Sequence, residues 1–277
     1  MKRKPIATVG IYVGAFALAV FSIFPFVWML ISSFKPRGEI RSKNPSLLIS
    51  EPTLDNYKRV LVDAGFLQFV WNSFKVASIV TVLSLAVSIL AGYAFSRFYK
   101  ARAVKWSNFF MLVSQMIPGV LLLVPLYVIM SNLNLLETHW SLVIAYTTFV
   151  IPLCTFMMST GFDNIPRSLE ESAEIDGCGR FATIFRIIVP VSVPTIISVG
   201  LYAFINAWNE FMFAYIFISR AENRLLTPAI MLFKGANLVD WGAIMAASVV
   251  AVLPTAILFI FLQRYFMSGM MAGAVKG

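Results

Sequence analysis

Six long apolar runs dominate this 277-residue chain, at about residues 8–32, 74–96, 107–131, 140–161, 187–218 and 241–266. About 20 consecutive apolar residues suffice to cross a bilayer as a helix, and a helix satisfies its own backbone hydrogen bonds there. The pattern predicts an all-α integral membrane protein with six transmembrane helices. The fifth run is too long for one straight span, and Pro190 and Pro194 near its start mark a kink or an interfacial entry. Composition agrees. Apolar residues make up 59% and charged residues 13%, against about 45–50% and 25% in soluble domains. That excludes an ordinary soluble enzyme and a disordered chain. No 20–50 residue repeat and no low-complexity segment interrupts the runs.

The net charge of +9 does not point to nucleic acid. The basic residues sit at the ends of the apolar runs, where they anchor against anionic lipid headgroups, and no basic stripe carries interleaved aromatics. Lys2, Arg3 and Lys4 precede an apolar stretch too long for a signal peptide. They read as the cytoplasmic flank of an uncleaved first helix, and an even number of spans returns the C-terminus to the same side. Arg97, Lys100, Arg102 and Lys105 mark the loop after span two as cytoplasmic, while the loop after span three carries only Glu137 and His139. Residues 35–70 fit less well: an external segment by this count, they hold Lys35, Arg37, Arg41, Lys43, Lys58 and Arg59 against four acids. Thr53 reads as the N-cap of a short helix in its second half. Cys154 lies in an apolar run and Cys178 in a polar loop, so they are not expected to pair. With His139 the only histidine, a zinc site is excluded on ligand count.

The loop between spans four and five stands apart. It holds Asp163, Glu170, Glu171, Glu174 and Asp176 against Arg167 and Arg180, on the side that normally collects Lys and Arg. An acidic patch gains nothing from a lipid surface but complements a protein with a basic rim. Pro166 suits a first helical turn and Gly177 the position just past the end, which predicts a helix of about eleven residues with Leu169 and Ala173 on one face. A partnerless surface loop has the same spacing.

Glu171-Ser-Ala-Glu-Ile-Asp-Gly177, followed by Ile187-Ile-Val-Pro190, resembles the EAA loop of binding-protein-dependent ABC importer permeases, with Ser172 and Cys178 in place of the usual alanines. Trp71-Asn-Ser73, Ala207-Trp-Asn-Glu-Phe211 and the tail from Gln263 to Gly277 resemble the second permease subunit of the maltose-type carbohydrate branch. The resemblance implies the type I permease fold, with an N-terminal helix and external loop at 1–70, a permease domain at 71–267 containing a cytoplasmic coupling loop at 163–186, and a tail at 268–277. It implies that Glu170, Glu171, Ala173, Asp176, Gly177 and Pro190 couple to an ATPase, with Gly177 allowing the turn and Glu171 facing basic residues of the partner. The implied partners are a second homologous permease, a dimer of ATP-binding subunits and an extracytoplasmic solute-binding protein, in a bacterial or archaeal cytoplasmic membrane.

No Gly-x-x-x-x-Gly-Lys-Ser/Thr loop occurs, so no cofactor is expected on this chain, and ATP and Mg belong to the partner ATPase. No catalytic triad can be assembled from one histidine. Polar groups inside a span face a cavity or another helix. Asn206, Trp208, Asn209 and Glu210 in span five combine the amide, carboxylate and aromatic chemistry that binds a sugar, and equally suit packing against a second permease. Gln115 lines a pathway or satisfies a kink at Pro118. An ion-driven carrier needs charged relays at mid-membrane, for which only Glu210 qualifies. A non-transporting scaffold leaves the acidic loop unexplained. A sugar or sugar-like solute is the expected cargo; a non-sugar importer branch is the alternative.

Overall fold

The computed structural model describes residues 5–42, 46–235 and 238–274, with side chains from 10 to 263 within those limits. The anchor Lys2, Arg3 and Lys4, together with Lys43 and residues 275–277, lies outside the described residues. The described chain is helical, with one isolated bridge between Lys234 and Val239 and no sheet.

α1 (Pro5–Ser33) is the first span, and two short helices follow, α2 (Arg37–Ile40) and α3 (Asp55–Lys58). Thr53 sits just ahead of α3, where its hydroxyl accepts the Asp55 N–H at 3.1 Å. α4 (Phe66–Arg97) is the second span. The third apolar run is broken: α5 (Arg102–Gln115) and the segment ending in α6 (Leu123–Asn132) meet at 95°. Pro118 lies in that break, where its missing N–H ends the helical ladder. α7 (His139–Asp163) is straight enough to count as one span despite Pro152. The loop beyond it carries α8 (Ser168–Ile175), α9 (Arg180–Thr183) and α10 (Val189–Val191). The fifth run breaks as well, with Arg180–Val191 set at 83° to α11 (Val193–Asn209). Pro190 and Pro194 flank the break at Ser192. α12 (Met212–Phe217), α13 (Leu226–Ala229) and α14 (Trp241–Ala274) complete the order. The six runs are thus four straight helices and two bent pairs. α14 continues past 266 into the segment expected as a tail.

The chain forms two compact units, Met1–Leu67 with Ala229–Leu253, and Gln68–Pro228 with Pro254–Gly277. In the first, the surplus of basic residues is used internally. Lys35 pairs with Glu39 at 3.1 Å, and Asp240 takes both Arg37 at 2.6 Å and Arg59 at 3.2 Å. Arg41 donates to the Val239 carbonyl at 2.9 Å. Asn56 is buried and donates to the carbonyls of Ser33 and Lys35.

The second unit is built on α4, α7 and α11. Helices immersed in lipid gain little from hydrophobic burial against each other, so close van der Waals packing decides. A Cβ at Gly92 would stand 2.8 Å from the Met158 Cβ, and one at Gly161 would overlap the Thr195 side chain. The absent side chains let α7 approach α4 on one side and α11 on the other. Tyr93, Cys154, Met158, Phe162, Ile188 and Val199 fill the core between them. The loop carrying α8 hangs from this core.

Candidate functional site

The loop after α7 is shaped by local chemistry. The Pro166 carbonyl accepts the Leu169 N–H at 3.3 Å, making a tight turn before regular helix begins at Ser168. α8 therefore has eight residues, not about eleven. Its end is a Schellman cap: the Gly177 N–H returns to the Glu174 carbonyl at 3.0 Å and the Cys178 N–H to the Ala173 carbonyl at 2.9 Å. Gly177 takes φ +80°, a left-handed conformation that a side chain disfavours. The turn sends the chain into α9, where the Arg180 guanidinium lies 5.3 Å from the Phe98 ring centroid.

Two faces of α8 result. Glu170 and Ala173, three residues apart, face inward. Ala173 is buried, and Glu170 takes hydrogen bonds from the Tyr93 hydroxyl at 2.7 Å and Arg97 Nε at 2.5 Å. Glu171, Glu174, Asp176 and Gly177 face outward. Between the acids stands Ile175, 87% exposed, with Phe181 of α9 70% exposed nearby in sequence. Leu169, expected beside Ala173, is exposed. Pro190 is exposed at the bend before α11. An outward face of acids around a bare isoleucine suits a basic-rimmed apolar cleft on a protein partner.

The polar residues of span five separate in the fold. Asn206 and Asn209 are exposed on one face of α11. Trp208 is buried at 2% exposure and stacks on Phe204 with centroids 5.6 Å apart. Glu210 ends α11 in an extended conformation, and its carboxylate accepts the N–H groups of Met212, Phe213 and Ala214 at 2.8, 3.0 and 3.2 Å. It caps α12, satisfying donors that a helix start leaves open. Gln115 ends α5 beside the 95° break, exposed, with its amide 3.5 Å from the Phe149 carbonyl.

Several working residues carried no signal of their role in the sequence. Asn72, part of the Trp-Asn-Ser run, donates to the carbonyls of Glu222 and Arg224, and the Ser73 hydroxyl accepts the Leu226 N–H. Glu137 accepts the N–H groups of Ser219 and Arg220, both at 2.9 Å. His139, placed by the sequence in the loop after span three, is the half-buried first residue of α7, 3.0 Å from the Asn223 carbonyl. Together these contacts pin the segment after α12. Arg97, read only as a marker of loop orientation, is the partner of Glu170.

Apolar helices, broken twice at prolines and carrying a helix–turn–helix projection, define a helical membrane protein. The family described as binding-protein-dependent transport system inner membrane component matches residues 84–271, and the chain belongs to it: it is a permease of the ABC importer class and not an enzyme. The chain is 39% identical over 267 residues to the sulfoquinovosyl glycerol transport system permease protein SmoH of Agrobacterium fabrum, covering 96% of this chain and 93% of that one. It is 35% identical to the trehalose/maltose transport system permease protein MalG of Thermococcus litoralis, over the full length of both. In fold it resembles a chain of a bacterial ABC transporter involved in import of the acidic polysaccharide alginate, with TM-score 0.78 at 19% identity, covering 96% of this chain and 98% of that one.

Proposed function

We propose that this chain is the second permease subunit of an ATP-driven importer for a sugar or sugar-like solute. Relatives whose names specify sulfoquinovosyl glycerol, trehalose/maltose and diacetylchitobiose transport support the solute class. The observation that carries the mechanism is the two-faced α8. Its inward face, Glu170 and Ala173, is tied to the spans, and its outward face, with Glu171, Asp176 and Ile175, is free for a partner. In this reading the outward face seats in a cleft of a separate ATPase subunit on the cytoplasmic side. Both termini lie on that side too. ATP and Mg bind the ATPase dimer, whose closure moves the cleft and biases the spans between two states. A second homologous permease completes the pathway, and an extracytoplasmic binding protein delivers the solute. Asn206 and Asn209, the exposed amides of α11, are the groups assigned to solute. Trp208 and Glu210 shape the helix behind them.

The test is import and ATP hydrolysis by the complete reconstituted complex carrying Gly177→Asp or Glu171→Lys. Import should collapse while the isolated ATPase continues to hydrolyse ATP. Normal import by both assembled variants would remove α8 as the coupling element.

A further inference from the structure

The Glu170 carboxylate belongs to α8, yet it is turned onto the last turn of α4. Side-chain exposure is 8% for Arg97 and 13% for Glu170. Arg97 Nε and the Tyr93 hydroxyl occupy the two carboxylate oxygens, while Arg97 Nη2 reaches the Ile165 carbonyl at 3.1 Å and Nη1 the Ser96 hydroxyl at 2.9 Å. Ser96 in turn donates to Asp163 at the end of α7. One guanidinium therefore joins the end of α4, the chain leaving α7, and the first turn of α8.

A largely buried ion pair is a poor source of stability, because desolvation offsets most of the attraction. It differs from apolar contact in being directional. Ala173 is held by packing, which is non-directional, whereas a charged fork with several fixed acceptors resists both rotation and sliding. We propose that Arg97, Glu170 and Tyr93 form a clamp that carries displacement of α8 into α4, so that the second span moves with the coupling loop instead of being left behind. Arg97 and Tyr93 act here as positioning residues that touch neither solute nor ATPase. The proposal rests on the reading that α8 is driven by an ATPase.

The experiment uses the complete complex, with ATPase, second permease and binding protein, in proteoliposomes. Solute imported per ATP hydrolysed and the amount of assembled complex are measured together. Arg97→Gln and Glu170→Gln should each lower that ratio by about tenfold or more, the factor equivalent to one lost hydrogen bond to a charged group. The double variant should be no worse than either single one, because both break the same link. Arg97→Lys keeps the charge but not the fork and should fall between. Tyr93→Phe removes one hydroxyl and should give a smaller loss of the same kind, a readout that survives if an Arg97 variant fails to assemble. Wild-type ratios in the single variants, single effects that multiply in the double, or a loss explained entirely by reduced assembly would each overturn the clamp. Glu171→Lys, on the outward face, separates the two readings. If it uncouples while the Arg97 variants do not, the clamp fails and the coupling helix stands. If all of them import normally, the coupling reading itself fails.

Discussion

Replacing Gly177 by alanine isolates a single physical term at the end of α8. The backbone there has φ +80°, and no atom lies within 4 Å of the place a Cβ would occupy. The substitution thus adds no clash with the rest of the fold, only the conformational cost of an L-residue in the left-handed region, roughly 1–2 kcal/mol. That cost falls on a turn closed by two hydrogen bonds, from Gly177 to Glu174 and from Cys178 to Ala173. A change of one to two kcal/mol corresponds to a factor of about 5–30 in the open population. Asparagine tolerates the same backbone better than alanine, so Gly177→Asn should open the turn less. The assay is amide hydrogen exchange at residue 178 in the assembled complex, since local opening sets the protection of such a bond. Exchange should be fastest in the alanine variant, intermediate with asparagine and slowest in the parent. Import should decline in the same order. Equal exchange in all three chains, or asparagine exchanging faster than alanine, would refute the argument that the turn depends on backbone conformation.

Two further outcomes follow from the second unit. Glu210→Ala removes the acceptor for three N–H groups of α12 and should destabilise the complex by about 1 kcal/mol, with Glu210→Gln milder, read as a lowered Tm. A shift in import KM at unchanged Tm would make Glu210 a solute group instead. Gly161→Ala forces α7 against Thr195 and should cost about 1–3 kcal/mol, partly restored by Thr195→Ala, in the Tm of the assembled complex. A stable Gly161→Ala chain would mean that α7 and α11 do not meet there.

What could be read from the chain alone was whatever is encoded locally. Apolar run length announced the spans, because a helix in lipid needs only its own residues to satisfy its backbone. Pro118, Pro190 and Pro194 announced the breaks, because a missing N–H acts within one turn. Gly177 announced the end of α8, and the excess of acids announced a loop unlike its neighbours. The length of α8 was overestimated because a proline and the residue after it can make a turn as readily as a helix, and the choice lies in one bond, from Leu169 to Pro166.

The tertiary structure decided which way each polar group turned, because that choice depends on partners far along the chain. Glu170 and Glu171 are adjacent and chemically identical. Arg97, 73 residues away, and Tyr93, 77 residues away, hold the first inward, while the second faces outward. Arg37 and Arg59, which strained the charge count of the loop at 35–70, are absorbed by Asp240, 203 residues beyond Arg37. Trp208 and Glu210 suited solute binding and packing equally by type; in the fold Trp208 stacks on Phe204 and Glu210 accepts the open N–H groups of α12. Local periodicity and backbone chemistry thus specify the helices, their breaks and the acidic loop. The assignment of each charge and amide to anchor, cap or free surface waits on the long-range contacts that folding brings together.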